Sequence, residues 1–155
     1  MKQKLFTIGY TGFNISDFID ALLDHNIECL IDIREIPLSR KKGFSKTALS
    51  NLLNDVGIEY QHYKSLGSPR SDRHELRETG NFTKFFSVMD GHLKTNNAIL
   101  DLQSTISVAR QQRSCLMCCC PQWQYCHRKS VVDAIQKQTS FFFEHIGQSA
   151  IQKVA

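Results

Sequence analysis

Short, unbroken apolar runs separated by stretches of helical spacing constrain this chain more than any other feature. Residues 5–8, 29–33 and 114–119 are too short for helices, and their continuous apolar character suits strands covered on both faces, as in parallel sheets. Residues 58–62 alternate like a further strand, and Phe141, Phe142 and Phe143 begin a last one. Between them, Asn14 opens a stretch with Phe18, Ile19, Leu22 and Leu23 on one helical face. Ser45 can cap a helix through Leu49, Leu53 and Val56 that Gly57 ends. Asn81 caps a stripe of Phe82, Phe85, Phe86, Met89 and Leu93, read as core, and helices follow over 98–112 and 128–138. Strands alternating with helices imply right-handed crossovers. The predicted fold class is α/β, a single-domain three-layer sandwich with a mainly parallel sheet of about five strands flanked by helices.

The 155 residues suit one domain over 1–155, with 41% hydrophobic residues to form a core. Residues 63–80 lack periodicity and carry Gly67, Pro69 and Gly80, so a long, mobile surface loop is expected there. Five of the six cysteines, Cys115, Cys118, Cys119, Cys120 and Cys126, fall within twelve residues. A disulfide framework would spread them out to close loops, so a reducing cytoplasm is the expected compartment. The apolar run of a signal peptide breaks early at Gly9-Tyr10-Thr11-Gly12, and no apolar stretch is long enough to span a bilayer. No membrane partner is expected, and no motif speaks to oligomeric state.

In open α/β sheets, ligands bind where loops leave the carboxyl ends of the strands. Two unusual segments are expected at that edge. The first runs Asp32-Ile33-Arg34-Glu35-Ile36-Pro37-Leu38-Ser39-Arg40-Lys41-Lys42-Gly43-Phe44-Ser45. Arg34 and Arg40, aided by Ser39 and Tyr10, could bind a phosphate or carboxylate, with Asp32 as an ionised acceptor. A solvated basic loop with a structural Asp32–Arg34 pair explains the same residues. The second runs from Cys115 through Cys126-His127-Arg128. Strand alternation puts Cys118 and Cys120 on one face and Cys119 on the other. Cys126, opening a helix beside His127 and Arg128, is the preferred reactive thiol; a small buried cap residue is the bland alternative.

No cofactor is expected from these motifs. Zinc is the competing reading, with Cys120, Cys126 and His127 as its ligands, but Cys115 to Cys118 reads as strand interior rather than a metal knuckle. A Cys-x5-Arg phosphatase loop is absent, since Gln122 stands six residues before Arg128. Gly-x-Gly-x-x-Gly, P-loop and His-Glu-x-x-His motifs are absent too. Trp123 and Tyr125 can stack on a base or fold back as local packing, and His62 reads as a satisfied strand histidine.

Taken in order, these motifs resemble the DUF488 family over about residues 5–147. The residues are Thr7-Ile8-Gly9-Tyr10, then Asp32-Ile33-Arg34-x-x-Pro37-x-Ser39-Arg40-x-x-Gly43-Phe44-Ser45, Leu66-Gly67, Cys118-x7-Cys126-His127-Arg128 and His145-Ile146. The resemblance implies a compact α/β domain of unsettled activity. Family members typically carry glutamate where this chain has Cys120. If that carboxylate takes part in binding or catalysis, the activity is lost or altered here; if it is structural, a third thiol has replaced it. A fainter resemblance to rhodanese-like sulfurtransferases rests on the strand ending Asp32-x-Arg34 and on Arg128-x-Ser130, although the cysteine loop is too long for that cradle.

Charge narrows the function classes. Nineteen Lys and Arg against fifteen Asp and Glu give +4 overall. Residues 34–46 hold five cations against Glu35 alone, and residues 110–129 hold Arg110, Arg113, Arg128 and Lys129 without an acid. These +4 segments leave the rest of the chain at −4 and point to an anionic partner. The favoured reading is an enzyme or ligand-binding domain for a phosphate- or nucleic-acid-derived substrate in an Arg/Cys-lined cleft, with Cys126, His127 and Asp32 as catalytic candidates and Arg34, Arg40, Arg128, Tyr10 and Ser39 binding. A nucleic-acid-binding or -processing module, a sulfurtransferase and a partner-binding domain are the alternatives.

Overall fold

The computed structural model describes residues 3–147. Its five strands are β1 (Lys4–Gly9), β2 (Cys29–Asp32), β3 (Glu59–His62), β4 (Ser114–Cys118) and β5 (Phe142–Ile146). The helices are α1 (Ile15–Asp24), α2 (Lys46–Asp55), α3 (Arg70–Thr79), α4 (Phe82–His92), α5 (Asn96–Gln111) and α6 (His127–Gln136). All strand pairs are parallel, in the order β3-β2-β4-β1-β5. The expected three-layer α/β sandwich is therefore present.

Strand alternation divides the core. Phe6, Ile8, Leu30, Cys115 and Met117 face α1 and α2 through Phe18, Leu22, Leu49 and Leu53. Leu5, Ile31, Leu116 and Cys118 face the other layer, where α4, α5 and α6 supply Met89, Leu102, Ile106, Val131 and Ile135. Asn14 caps α1 by accepting the Asp17 N–H at 2.7 Å. Ser45 precedes α2 without a side-chain cap bond, because its hydroxyl donates to the Ser39 carbonyl at 3.1 Å instead.

Two expectations are corrected. Residues 63–80 are not one long loop: they hold a 3-10 turn at Lys64–Leu66 and the ten-residue α3. This helix buries no residue, so it has no apolar stripe to read. Pro69 at its start, left-handed Gly80 at its end and the His74–Glu78 and Glu75–Lys84 ion pairs accompany it instead. The α4 stripe is also only partly core. Phe85, Met89 and Leu93 are buried, but Phe82 is exposed and Phe86 half-buried, because α4 packs on α6 along a narrow edge.

The winding creates a crevice. The chain moves from β1 to β2 and β3 through α1 and α2 on one face, then returns to β4 and β5 across the other. Central β4 thus sends its following segment to the face opposite those chosen by its neighbours β1 and β2. Such a switch point opens space at the carboxyl edge. Register brings Gly9 opposite Cys118, and Asp32 opposite both Met117 and His62, so the strand ends align at its floor.

Candidate functional site

A cleft of about 210 Å³ opens at this switch point, lined among others by Tyr10, Arg34, Glu35, Arg73, Cys119 and His127. Each side chain has a local reason for its place.

Asp32 ends β2 fully buried and accepts from the Arg34 N–H at 3.1 Å, Arg34 Nε at 2.9 Å, Arg34 Nη2 at 2.8 Å and the Tyr60 hydroxyl at 2.5 Å. Its oxygens are occupied, so Asp32 positions Arg34 and does not face the cleft as a base. Burial alone would lower the proton affinity of Arg34, but the hydrogen bond and charge of Asp32 raise it, keeping the guanidinium charged. Arg34 Nη1 also donates to the Phe44 carbonyl at 2.7 Å, and the guanidinium lies 5.4 Å from the Tyr10 ring, itself stacked on Phe44. The same tie leaves Tyr60 with a raised pKa, through burial first and the Asp32 charge second.

Arg73 reaches the cleft from α3, donating to the Ser68 carbonyl and, at 3.4 Å, to Glu35. Gly67 makes that approach practicable: a Cβ there would stand 2.7 Å from the Arg34 carbonyl carbon and closer still to the Glu35 nitrogen. Arg73 was invisible in the sequence because it lies among charges in a segment without periodicity. The Leu66-Gly67 motif was the available signal.

At the α6 end, Cys126 is the N-cap and accepts the Arg128 N–H at 3.5 Å. Buried His127 approaches the Ile33 carbonyl with Nε2 at 3.0 Å. A carbonyl can only accept, so the proton is on Nε2 and Nδ1 presents its lone pair 3.7 Å from the Cys126 sulfur. The sequence reading put the thiolate on Cys126. In the structure Cys126 lies 2.8 Å, sulfur to sulfur, from Cys118 at the end of β4. Burial opposes ionisation of Cys118, but thiol hydrogen bonds from Cys120 and Cys126 and the Arg128 charge hold it well below the ordinary thiol range. Burial and that neighbouring charge push Cys126 well above it. The first ionisation belongs to the pair, with Cys118 as its negative end. Cys119, which does line the cleft, has its thiol pKa raised chiefly by its hydrogen bond with Cys120.

Other candidates are placed elsewhere. Arg128 is almost fully buried, donating to the Cys120 carbonyl at 3.0 Å and Thr7 Oγ1 at 3.4 Å. Ser39 accepts the Lys41 N–H within its own loop, and Arg40 points to solvent outside the cleft lining. His62 meets the Arg34 carbonyl at 2.7 Å. Trp123 folds back onto His145, ring centroids 4.0 Å apart, whereas Tyr125 stays exposed beside Phe82. Arg110 and Arg113 flank the start of β4, at the sheet edge opposite Arg128 and Lys129, so the four cations of residues 110–129 are divided between the two ends of the strand. Among the described residues no three His, Cys, Asp or Glu side chains are arranged to hold a metal ion, and no helix is long and apolar enough to cross a membrane.

The model of the family described as "Domain of unknown function DUF488" matches residues 14–135, from the start of α1 into α6. The chain belongs to the DUF488 family. No curated protein and no solved structure matches it. The matched stretch of this DUF488 domain holds Arg34, Arg73, Cys119 and His127, while Thr7 to Tyr10 and His145-Ile146 lie outside it.

His127 also sets an acid limit on stability. Burial, its largest cause, pushes its pKa down from 6.5 to about 4. Below pH 6.5 the unfolded chain binds a proton that the folded chain refuses, so stability is intact above 6.5 and falls as pH drops toward 4. The full loss is about 3 kcal/mol. Half-buried His145, also pushed to about 4, adds a smaller effect of the same sign. Urea unfolding at pH 7 and pH 5 should give a shallower pH dependence in His127→Gln than in the parent chain; equal dependence would refute the assignment.

Proposed function

We propose that this DUF488 domain binds a small anionic ligand of phosphate or nucleotide type in the switch-point cleft, either as an enzyme or as a ligand-binding domain. The observation that carries this reading is the convergence of Arg34 and Arg73, from different elements, on one cleft that also holds His127 and Cys119. Arg34 has Asp32 as a fixed partner and Nη hydrogens to spare. Besides its bond to the Ser68 carbonyl, Arg73 makes only the long 3.4 Å ion pair with half-buried Glu35, which an incoming anion can displace. Two guanidinium groups suit bidentate recognition of phosphate oxygens. His127, neutral at pH 7, leaves the positive charge of the cleft to the arginines. The raised Cys119 thiol argues against a nucleophile on the cleft wall and favours binding through arginine.

Titration calorimetry with inorganic phosphate, nucleoside monophosphates and a short single-stranded oligonucleotide tests this. The small anions should bind in a salt-sensitive manner. Arg73→Ala should weaken them roughly 10- to 100-fold, the range expected for a charge-assisted contact, without loss of fold, because α3 buries no residue. Absence of small-anion binding at low salt would refute the reading, and binding of the oligonucleotide alone would replace it with nucleic-acid recognition.

A further inference from the structure

Arg128 is the largest fully buried side chain, and among the described residues no carboxylate pairs with it and its Nε has no hydrogen-bond partner. Arginine does not shed its proton in a protein, and a buried charge without a counter-charge is costly. The groups beside it that can take up negative charge are thiols, since neighbouring His127 and His145 can only be neutral or positive. Cys126 accepts the Arg128 backbone N–H, and Cys118 contacts the same Cys120 carbonyl oxygen that Arg128 Nη2 binds. The two sulfurs, 2.8 Å apart, need less than about 1 Å of further approach to reach the ~2.05 Å of a disulfide.

We propose that Cys118 and Cys126, held beside the buried Arg128, form a redox-active dithiol that a small hydroperoxide oxidises to an intramolecular disulfide. The Cys118 thiolate attacks one peroxide oxygen; the S–O bond forms as the O–O bond breaks, and the departing hydroxide takes the Cys126 proton to become water. The Cys126 thiolate then attacks the sulfenyl sulfur of Cys118, closing the S–S bond and releasing hydroxide. Two electrons leave the sulfur pair, and the peroxide is reduced to one water and one hydroxide. Both sulfurs lie on regular structure, at the end of β4 and the N-cap of α6. Cys119 is exposed and Cys120 half-buried next to them, so the sulfur pair lies directly beneath a segment at the surface. The chemistry depends on the β4–α6 corner and not on what fills the arginine cleft.

The 155-residue chain is reduced, treated with stoichiometric hydrogen peroxide, unfolded in denaturant so that every remaining thiol is reachable, alkylated with a maleimide and peptide-mapped. Two of the six thiols should escape alkylation, with the Cys118 and Cys126 peptides joined, and dithiothreitol should restore both. Cys29→Ser should form the same link as the parent, and Cys118→Ser should lose it. Alkylation of all six thiols after peroxide, or a link confined to Cys119 and Cys120, would overturn the proposal. The mapping of the parent chain decides even if Cys118→Ser does not fold.

Discussion

Gly9→Ala should be strongly destabilising, because a Cβ on Gly9 would lie 2.5 Å from the Cys120 carbonyl carbon and closer still to its oxygen. Backbone cannot rotate aside as a long side chain can. Gly9 is fixed in β1 by pairing with Cys118, and the obstructing carbonyl accepts Arg128 Nη2 at 3.0 Å. Moving it would unseat a buried guanidinium and shift the segment after β4. Overpacking against such rigid neighbours costs about 3 kcal/mol or more, against a total stability of about 5–15 kcal/mol for an ordinary domain. Gly91→Ala is the control: a Cβ there meets nothing within 4 Å, inside α4, where alanine should stabilise by up to about 1 kcal/mol. Circular dichroism and urea unfolding of the two variants would test the contrast, and a Gly9→Ala chain as stable as Gly91→Ala would disprove the packing argument.

That close approach illustrates what the sequence could and could not convey. Strands and most helices were legible because burial imposes a period, as in the continuous apolar run of β2 or the Phe18–Leu22 face of α1. α3 was illegible for the converse reason, since a helix that buries nothing has no stripe. The candidate site was half legible. Asp32 and Arg34 stood out as a charged pair ending an apolar strand, and the cysteine cluster by its density. Their roles depend on partners remote in sequence. Asp32 is enclosed by Arg34 and by Tyr60 of β3, and Cys118 is acidified across eight residues by Cys126 and by an arginine that burial hides from any ligand. Arg128 read as a substrate-binding cation because its charge is visible in sequence and its burial is not.

Asp32→Ala should be the most destabilising change among the polar residues. The side chain carries no cavity of note, so its effect comes from what it leaves behind. Arg34 would remain only 6% exposed with its charge facing an empty position, and the Tyr60 hydroxyl would lose its partner. Breaking a buried pair by removing one member costs about 3–5 kcal/mol, whereas replacing both members with apolar groups is often near neutral. The double variant Asp32→Leu/Arg34→Met should therefore recover most of the stability lost in Asp32→Ala, and the cycle should show strong coupling between the sites. Chemical denaturation of the parent, Asp32→Ala, Asp32→Leu, Arg34→Met and the double variant measures both the loss and the coupling. A loss below about 1 kcal/mol in Asp32→Ala, in the range of exposed ion pairs, would mean that solvent reaches Arg34 and that the pair is not the buried brace described. The double variant should also lose binding of inorganic phosphate while keeping its fold. Stability and ligand recognition would then be separable in the same two residues, as expected if Asp32 serves the cleft only by holding Arg34 in place.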